Sequence, residues 1–511
     1  MIARDGNCIS LWQATSNSYM PVTEKLPGQL FDVVIVGGGI TGISTALRLQ
    51  EAGKKCIVLE AASLCFGTTG GTTAHLNTLI DVSYKTIQQN FSLKKASLVF
   101  EALEKAIDKI HDNIEKYKID CDFKLADAYL FAKTESQVKE LESAFETMAE
   151  IGLPISFSET IPIPDSFLKA IKVREQAKFN PVRYVHGLAH AFETAGGVII
   201  ENCRVTGVEQ NDNLEIATGK GSVRSKDIIY ATHIPPGLNL LHLRCIPYRS
   251  YAMAVKLQDD KYPIGLSYDM EDPYNYYRSQ EIDGQQYLIA GGRDHKTAHE
   301  ENTDRCFLQL EAHLRKMFKV ESIHSKWSSQ FFEPADGLPY IGQLPAHPEH
   351  FYVATGYGGN GMVYSSVAAT LLTDILVNND TPYMELFDPN RIKPIAGFSN
   401  FVTHNADVVK QFAGKFFSGE DLTELVDLAP GEARMVKYED HKLAMYKDEN
   451  GKIHAVNPTC THLKCEVRWN VAEKSWDCPC HGARYSFDGK LLTGPADHDL
   501  EEISIRYLQE H

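Results

Sequence analysis

The sequence predicts an α/β protein with a small all-β domain at its C-terminal end. Three observations predict this fold class. They are a strand, glycine turn, helix and strand in succession near the N-terminus, alternating tyrosine-rich strands in the middle, and a hairpin pattern beside a cysteine and histidine cluster near the C-terminus. The chain has 511 residues, enough for about three domains of roughly 150 residues each.

The first element is the stretch FDVVIVGGGITGISTALRLQEAGKKCIVLEA at residues 31–61. The apolar run predicts a buried parallel strand, the following residues a glycine turn and an amphipathic helix, and KCIVLE a second strand. Gly37 permits the sharp turn, Gly39 lets a pyrophosphate approach the helix N-terminus, and Gly42 lets helix and strand pack closely. Glu60 ends the second strand, where a carboxylate can accept a ribose hydroxyl. The pattern predicts a Rossmann-like dinucleotide-binding domain, with a purely structural Rossmann unit as the alternative.

The middle of the chain carries two further kinds of pattern. Residues 84–150 predict two or three long helices with charged faces. Residues 245–295 alternate in the manner of strands and are rich in tyrosine. Near the C-terminus, ARMVKYEDHKLAMYKDENGKIHAV at residues 433–456 predicts strands joined by a hairpin turn at ENGK.

Residues 460–485, CTHLKCEVRWNVAEKSWDCPCHGARY, contain four of the eleven cysteines and two of the nineteen histidines. Two loops each offer one thiolate and one imidazole, and a further cysteine follows in each loop. The four candidate ligands are Cys460, His462, Cys478 and His481, and the two further cysteines are Cys465 and Cys480. Two thiolates and two imidazoles can hold tetrahedral zinc. The mixed loops and the extra cysteines count against zinc, and a redox centre is the alternative.

Composition excludes some classes of function. A formal charge of −16 and a pI near 5.6 argue against a nucleic-acid-binding surface, which is normally basic. The longest apolar runs are shorter than the ~18 residues that span a bilayer, so no transmembrane segment is expected. The N-terminal stretch lacks the basic and apolar regions of a secretory signal, which predicts a cytoplasmic location.

Residues 31 to about 390 resemble the glycine oxidase and D-amino-acid oxidase family of flavoproteins. The matching motifs, in the family's order, are FGTTGGTTAHLN at 66–77, FNPVRYVHGLAHAFETAGGVIIENCRVTGVE at 179–209, IIYATH at 228–233, EPADGLPYIG at 333–342 and FYVATGYGGNGMVYSSVAATLLTDIL at 351–376. The resemblance implies that the dinucleotide is FAD. It also implies a Rossmann-like FAD-binding domain joined to a substrate domain with a mixed sheet.

The resemblance implies FAD contacts in the glycine turn, the loop after the second strand, an adenine-side strand and the start of the last helix. The implied residues are Gly37, Gly39, Ile40, Thr41, Gly42, Glu60, Ala61, Gly71, Thr72, Thr73, His75, Val205, Gly358, Asn360, Gly361 and Met362. Backbone amides at the helix start can stabilise negative charge on a reduced flavin. GTTAH, ending at His75, is similar to the GSTWH loop whose histidine carries covalent flavin in dimethylglycine and sarcosine dehydrogenases. A non-covalent contact is the alternative.

In this family an aromatic-lined sheet roofs the flavin. The residues thereby implied to face the substrate cavity are Tyr276, Arg278, His295 and Lys296. Tyrosines that only pack, and basic side chains that point to solvent, are the alternative. Glycine oxidases carry an arginine shortly before the DGxPYIG strand, and Glu333 stands at that place here. A carboxylate there favours a cationic amine over a carboxylate substrate, unless Glu333 is solvated or paired with arginine.

Residues 424–511 resemble the Rieske iron–sulfur domains that carry CTHLxC and CPCHG. The resemblance implies a [2Fe–2S] cluster, with one iron held by the two candidate cysteines and the other by the two candidate histidines. It also implies that Cys465 and Cys480 pair as a disulfide. Neutral imidazoles in place of two thiolates raise the reduction potential above that of ordinary ferredoxins.

Together these resemblances divide the chain into five parts. They are residues 1–30 for an N-terminal extension, 31–83, 179–240 and 331–390 for the discontinuous FAD-binding domain, 84–178 and 241–330 for the substrate domain, 391–423 for a linker, and 424–511 for the Rieske domain. Within the linker, THNADVVKQFAGKFF at 403–417 predicts a short bridging helix.

The whole chain is similar to flavin-dependent oxidoreductases of this family that carry a C-terminal Rieske domain. We expect a dehydrogenase that takes a hydride from a carbon–nitrogen bond of an amine or amino acid. Electrons would pass from FAD to the cluster and on to an external acceptor, a ferredoxin-like carrier or a quinone. Two alternatives stay open. One is a reductase fed by ferredoxin through the cluster, and the other is an electron-transfer or redox-sensing module without a small substrate.

Overall fold

The structure is a computed structural model that describes residues 4–391, 420–421, 428–438 and 441–503. Up to residue 178 the elements are α1 (Leu11–Thr15), β1 (Leu30–Val36), α2 (Ile40–Glu51), β2 (Cys56–Leu59), α3 (Thr68–Gly71), β3 (His75–Leu76), α4 (Tyr84–Asn90), α5 (Leu93–Tyr117), β4 (Lys124–Ala132), α6 (Glu135–Glu150), β5 (Ile155–Ser158) and β6 (Lys169–Lys178). From residue 181 to 334 they are α7 (Pro181–Thr194), β7 (Val198–Ile200), β8 (Val205–Gln210), β9 (Leu214–Thr218), β10 (Gly221–Tyr230), a 3-10 helix (Leu240–Leu243), β11 (Cys245–Leu257), β12 (Leu266–Asp269), β13 (Tyr276–Ile282), β14 (Gln285–Lys296), α8 (Thr303–Met317) and β15 (Val320–Pro334). The remaining elements are β16 (Tyr340–Gln343), β17 (Phe351–Thr355), α9 (Gly361–Leu376), α10 (Tyr383–Phe387), β18 (Glu420–Asp421), β19 (Ala433–Tyr438), β20 (His441–Lys447), β21 (Ile453–Val456), β22 (Arg468–Asn470), β23 (Ser475–Asp477), β24 (Arg484–Ser486) and β25 (Leu491–Thr493).

An eight-stranded sheet carries the glycine turn. Its main order is β16-β17-β10-β1-β2-β7, with β9 joining at β10 and β8 pairing with β9. The apolar strand β1 lies parallel between β2 and β10, and its buried side chains explain why its sequence is continuously hydrophobic. The turn after β1 leads directly into α2. The Rossmann-like arrangement predicted for residues 31–61 is therefore present.

A nine-stranded mixed sheet forms the second layer. Its order is β15-β11-β14-β13-β12-β4-β6-β3, with β5 on β6, and the β12–β4 pair is parallel. The two or three long helices predicted within residues 84–150 are present as α5 and α6, with the shorter α4 before them. The strand β4 at Lys124–Ala132, which pairs with β6 and β12, was not predicted. Because β4 pairs with a strand on each of its edges, this pairing outweighs the weak preference of its residues for helix. Strand β15 runs to Pro334, past the boundary expected between residues 330 and 331.

The C-terminal part is built from two four-stranded sheets, β18-β19-β20-β21 and β22-β23-β24-β25. The hairpin turn expected at ENGK joins β20 to β21. One cysteine and histidine loop precedes β22, and the other joins β23 to β24. The bridging helix expected at residues 403–417 lies outside the described residues. Among the helices that the structure describes, none is long and apolar enough to cross a membrane.

The N-terminal segment braces the loop that follows β2. Trp12 is fully buried, and its indole nitrogen donates to the carbonyl oxygen of Thr72 at 2.6 Å. The hydroxyl of Ser10 donates to the carbonyl oxygen of Gly70 at 2.5 Å. The residues expected as an extension therefore hold α3 and the chain after it in place.

Six buried charged side chains meet where the N-terminal segment, the nine-stranded sheet and the C-terminal domain join. This buried ion network consists of Arg4, Asp5, Arg249, Glu473, Asp477 and Arg484. Arg484 donates to Asp5 at 2.8 Å and to Asp477 at 3.1 Å. Glu473 lies 3.7 Å from Arg249. Three positive and three negative charges balance, so the network fixes the C-terminal domain against the sheet.

Candidate functional site

A cavity of about 950 Å³ is lined by residues of both large sheets and of the C-terminal domain. Every residue implied to contact FAD lines this cavity except Gly42. A Cβ atom at Gly42 would lie 1.9 Å from the carbonyl oxygen of Gly37. Gly42 therefore lies beneath the turn, where it permits close packing of α2 on the strand.

The glycine turn fits the ADP half of a dinucleotide. Gly37 has φ of +116°, and a Cβ there would lie 2.5 Å from the carbonyl oxygen of Ala231. The Glu60 carboxylate accepts backbone N–H groups from Gly38 at 2.6 Å and Ala62 at 2.8 Å, while burial raises the pKa of Glu60. A turn that only glycine can form, a helix N-terminus and a carboxylate at the strand end together match dinucleotide binding.

His75 and the start of α9 are also part of the cavity wall. Nδ1 of His75 lies 2.6 Å from the hydroxyl of Tyr268. Burial lowers the pKa of His75 well below its ordinary value, so the imidazole is neutral. Asp81 accepts from the backbone N–H of Gly359 at 2.5 Å and from the hydroxyl of Tyr274 at 3.1 Å. A carboxylate thus lies against the residues just before α9.

Three tyrosines and a second carboxylate form the wall of the cavity that faces the nine-stranded sheet. Tyr268, Tyr274, Tyr276 and Asp294 line it. Oδ1 of Asp294 is buried and finds no hydrogen-bond partner among the described residues. Burial, aided by the charge of Asp81, raises the pKa of Asp294 to about 7. No motif in the sequence indicated that Asp294 or Asp81 would line the cavity, although Asp294 directly precedes His295.

The expectation that Arg278 faces the cavity is wrong. Its guanidinium is fully buried and donates to the carbonyl oxygens of Thr73, at 3.1 Å, and Ala74. Arg278 shares a strand face with Tyr276, but it lies two residues further along β13, beneath the loop that ends at His75. Its guanidinium therefore supports that loop and does not line the cavity.

The expectations for His295 and Lys296 are also wrong, because neither residue lines the cavity. His295 follows Asp294 on β14 and points to the opposite face, where its Nε2 lies 2.9 Å from the hydroxyl of Tyr251. Lys296 lies at the end of β14, and its charge partly opposes the rise that burial causes in the pKa of Glu333. Tyr276 does line the cavity, with its hydroxyl 2.9 Å from Oγ of Ser250.

Glu333 lies beside the cavity acids without lining the cavity. Burial, together with the charges of Asp81 and Asp272, raises the pKa of Glu333 to about 7, against the opposing charge of Lys296. Glu333 in turn raises the pKa of Asp294. Glu333 therefore acts on the cavity through its charge when it is ionised, whereas the carboxylate of Asp294 lines the cavity itself.

The two cysteine and histidine loops bring the four candidate ligands together. The thiols of Cys460 and Cys478 are both buried. A hydrogen bond from the Cys478 thiol lowers the pKa of Cys460 against the opposing effect of burial. The rings of His462 and His481 lie 5.0 Å apart. Nε2 of His462 lies 3.2 Å from the carbonyl oxygen of Gly237, which can only accept. The proton of His462 is therefore on Nε2, and Nδ1 can bind a metal.

A disulfide joins Cys465 to Cys480, the pairing that the resemblance to Rieske domains implies. The sulfur atoms of these two residues and of Cys478 lie within 4.8 Å of one another. Because the disulfide occupies two of the three sulfurs, this trio cannot form a zinc site. The two thiols and two imidazoles of the loops fit a [2Fe–2S] cluster.

One loop lies between the cavity and the candidate cluster ligands. Residues 231–234 line the cavity, and Gly237 accepts the hydrogen bond from His462. The buried ring of His242 lies 4.6 Å from the ring of His462 and 6.0 Å from that of His481. The imidazole edge of the candidate cluster site therefore faces the part of the chain that forms the cavity.

Tyr485 is expected to set part of the cluster's reduction potential. Its buried hydroxyl lies 3.3 Å from Sγ of Cys460, and a donor to sulfur stabilises the more negative reduced cluster. Tyr485→Phe should lower the midpoint by on the order of 60–130 mV, the equivalent of one charge-assisted hydrogen bond. Ala483 stands where high-potential Rieske proteins carry a serine, and Ala483→Ser should raise the midpoint.

Potentiometric titration followed by electron paramagnetic resonance measures both changes. Tyr446→Phe removes a buried hydroxyl elsewhere in the same domain and serves as the control. A midpoint that neither Tyr485→Phe nor Ala483→Ser moves would contradict the hydrogen-bond account.

Comparison with known proteins covers both parts of the chain. The FAD dependent oxidoreductase family model matches residues 32–375, and the Rieske [2Fe-2S] domain model matches residues 421–504. The putative Rieske 2Fe-2S iron-sulfur protein YhfW of Bacillus subtilis is 33% identical over 477 residues, 93% of each chain. The gamma-glutamylputrescine oxidoreductase of Escherichia coli is 25% identical over 382 residues, 72% of this chain and 88% of that protein. The crystal structure of glycine oxidase from Geobacillus kaustophilus superposes with a TM-score of 0.58 at 18% identity, over 71% of this chain and 99% of that one.

Proposed function

Because the chain belongs to the FAD dependent oxidoreductase family and carries a C-terminal Rieske [2Fe-2S] domain, we propose that it oxidises a carbon–nitrogen bond of a cationic amine and sends the electrons through the cluster of the same chain. The protein is an oxidoreductase that binds FAD and a [2Fe–2S] cluster. When bound, the flavin accepts the hydride and the cluster carries single electrons. An external carrier or quinone would collect the electrons.

The choice of substrate class rests on the buried Oδ1 of Asp294, which has no hydrogen-bond partner in the part of the chain that the structure describes. A carboxylate in a cavity walled by tyrosines suits an ammonium group, which gains a charge-assisted hydrogen bond and contacts with aromatic faces. The charges of Asp81 and Glu333 add to the negative potential. The Escherichia coli relative named for gamma-glutamylputrescine is consistent with this class of substrate.

The same residues would handle the proton. An ammonium group must lose a proton before its carbon–nitrogen bond can be oxidised. With a pKa of about 7, Asp294 can take that proton at Oδ1 near neutral pH. Tyr276, held by Ser250, would orient the amine, and the neutral imidazole of His75 adds no competing positive charge.

Contacts between the two halves support electron transfer within one chain. The side-chain amide of Gln330 donates to the carbonyl oxygen of Gly482, next to the candidate ligand His481, at 2.9 Å. The backbone oxygen of Gln330 accepts from the hydroxyl of Thr68 in α3 at 2.9 Å. One residue thus links the cluster loop to the loop that lines the cavity. The reverse flow, from a ferredoxin-like carrier through the cluster to the flavin, would use the same contacts.

Anaerobic mixing with a panel of amines tests the proposal. The panel should contain primary and secondary alkylammonium compounds, diamines, amino acids and neutral amides. We expect cationic amines without an α-carboxylate to bleach the oxidised flavin fastest. Bleaching only by amino acids would overturn the substrate class, and reduction only by a ferredoxin would support the reverse flow.

The affinity for cations should rise with pH through about pH 7. Asp294 and Glu333, both with pKa raised to about 7, are largely neutral below that pH and charged above it. A quaternary ammonium probe keeps its charge at every pH, so its dissociation constant isolates the carboxylates. Between about pH 6 and about pH 8 we expect the probe to bind on the order of tenfold tighter.

The dissociation constant is read from the perturbation of the flavin spectrum. A neutral tert-butyl compound of the same shape should show no such trend. Asp294→Asn should remove most of the dependence on pH. A quaternary probe that binds equally well at both pH values would contradict the assignment of Asp294 to the amine.

A further inference from the structure

The C-terminal domain forms part of the cavity wall. The segment that does so is residues 491–497, which follow β24 and include β25. Its lining residues are Leu492, Thr493, Gly494, Ala496 and Asp497. Residues of a domain expected only to carry the cluster therefore face the space in which FAD binds.

Two backbone contacts hold this segment against the flavoprotein part. A guanidinium N–H of Arg204 donates to the carbonyl oxygen of Leu491 at 3.0 Å. The backbone N–H of Gly237 donates to the carbonyl oxygen of Pro495 at 3.1 Å. Arg204 lines the cavity beside Val205, and its positive charge partly offsets the rise that burial causes in the pKa of Glu60. The segment therefore lies at the end of the cavity that fits the ADP half.

Thr493 offers a polar atom to that space. Its Oγ1 is buried and finds no hydrogen-bond partner among the described residues. A buried hydroxyl without a partner is costly, and native structures normally satisfy such groups with a ligand or water. Next to it, a Cβ atom on Gly494 would meet no non-neighbouring atom closer than 3.8 Å. The segment thus has both an unsatisfied donor and room for a ligand.

We infer that residues 491–497 complete the FAD site, with the hydroxyl of Thr493 donating to an oxygen of the ADP half. The inference concerns cofactor binding and stands whether or not the proposed substrate is right. If one domain supplies part of the site on the other, FAD binding and docking of the C-terminal domain stabilise each other by the same free energy.

The test measures FAD affinity in the full-length chain with its cluster in place and its flavin removed. The dissociation constant is obtained by titrating FAD and following quenching of flavin fluorescence. Thr493→Val should raise the constant about fivefold, as expected for one lost hydrogen bond. Thr493→Ser keeps the hydroxyl and should restore the affinity. Ser486→Ala removes a hydroxyl from the same hairpin outside the cavity. Its dissociation constant for FAD should stay within about twofold of the wild-type value.

Gly494→Phe provides a second, steric test. Its side chain would fill the space beside Thr493 and should weaken FAD binding more than Thr493→Val does. Cluster content, measured by electron paramagnetic resonance, shows in each variant that the C-terminal domain is intact. Wild-type FAD affinity in both Thr493→Val and Gly494→Phe, with the cluster retained, would overturn the inference. An equal loss of affinity in Thr493→Val and Thr493→Ser would also overturn the role of the hydroxyl.

Discussion

Replacing Glu473 with alanine is expected to lower the free energy of unfolding by roughly 3–5 kcal/mol, because the change leaves buried arginines without their counter-charge. Glu473 accepts from the backbone N–H of Ser328 at 3.0 Å and from its hydroxyl at 2.7 Å. Burial pushes the pKa of Glu473 up, but the charges of Arg4 and Arg249 outweigh it and hold the pKa below its ordinary value. The carboxylate of Glu473 is therefore ionised, and it interacts both with the arginines and with Ser328.

Denaturant unfolding followed by the visible absorbance of the cluster measures this loss. Glu101→Ala breaks an exposed ion pair with Lys105 and should change the free energy of unfolding by less than about 1 kcal/mol. Glu473→Gln keeps the shape of the side chain, so its loss in free energy of unfolding should lie between those of Glu473→Ala and Glu101→Ala. Equal stability of Glu473→Ala and Glu101→Ala would show that the buried ion network does not hold the domains together.

The network also predicts how stability depends on acid. The folded-state pKa values of Asp5, Glu473 and Asp477 are lowered by the neighbouring arginines, which outweigh burial. The three carboxylates therefore make their full contribution to the free energy of unfolding above about pH 4, where their pKa values lie in the unfolded chain. That contribution is lost as the pH falls below this value.

Replacing Cys478 with serine is expected to abolish the cluster while leaving reduction of the flavin by substrate intact. A serine hydroxyl stays protonated at neutral pH, whereas iron requires the thiolate. The electron paramagnetic resonance signal of the reduced cluster should disappear, and iron content should fall in step. Anaerobic amine should still bleach the flavin, because the cavity residues are unchanged.

Cys306→Ser is the matched control, since Cys306 is a buried thiol beside the nine-stranded sheet. It should retain the full signal. A normal cluster spectrum in Cys478→Ser would refute the assignment of this ligand. Loss of flavin bleaching with FAD still bound would show that the chemistry of the cavity depends on the cluster.

Local motifs were the part of this protein that the sequence predicted well. The glycine turn at Gly37 and the two cysteine and histidine loops each depend on residues close together in the chain, so spacing alone specifies their geometry. Short motifs also singled out His75 and the start of α9, and the structure places both in the wall of the cavity.

Contacts between distant segments were not predictable in this way. Asp294 and Asp81 meet because β14 and the loop before α4 converge on one cavity, and no local pattern encodes that meeting. Arg278 was expected in the cavity because of the resemblance to the oxidase family, but it lies under the loop that ends at His75. Thr493 lies in another domain, so its place in the cavity wall depends on how the domains dock.

The most direct test of the account is anaerobic mixing of the oxidised protein with a reactive amine, followed by rapid freezing and electron paramagnetic resonance. We expect the signal of the reduced cluster to appear after the flavin is bleached, at a rate that does not change when the protein is diluted. Independence of protein concentration is the signature of transfer within one chain. A bleached flavin beside a cluster that stays oxidised, or a rate of cluster reduction proportional to protein concentration, would contradict the account.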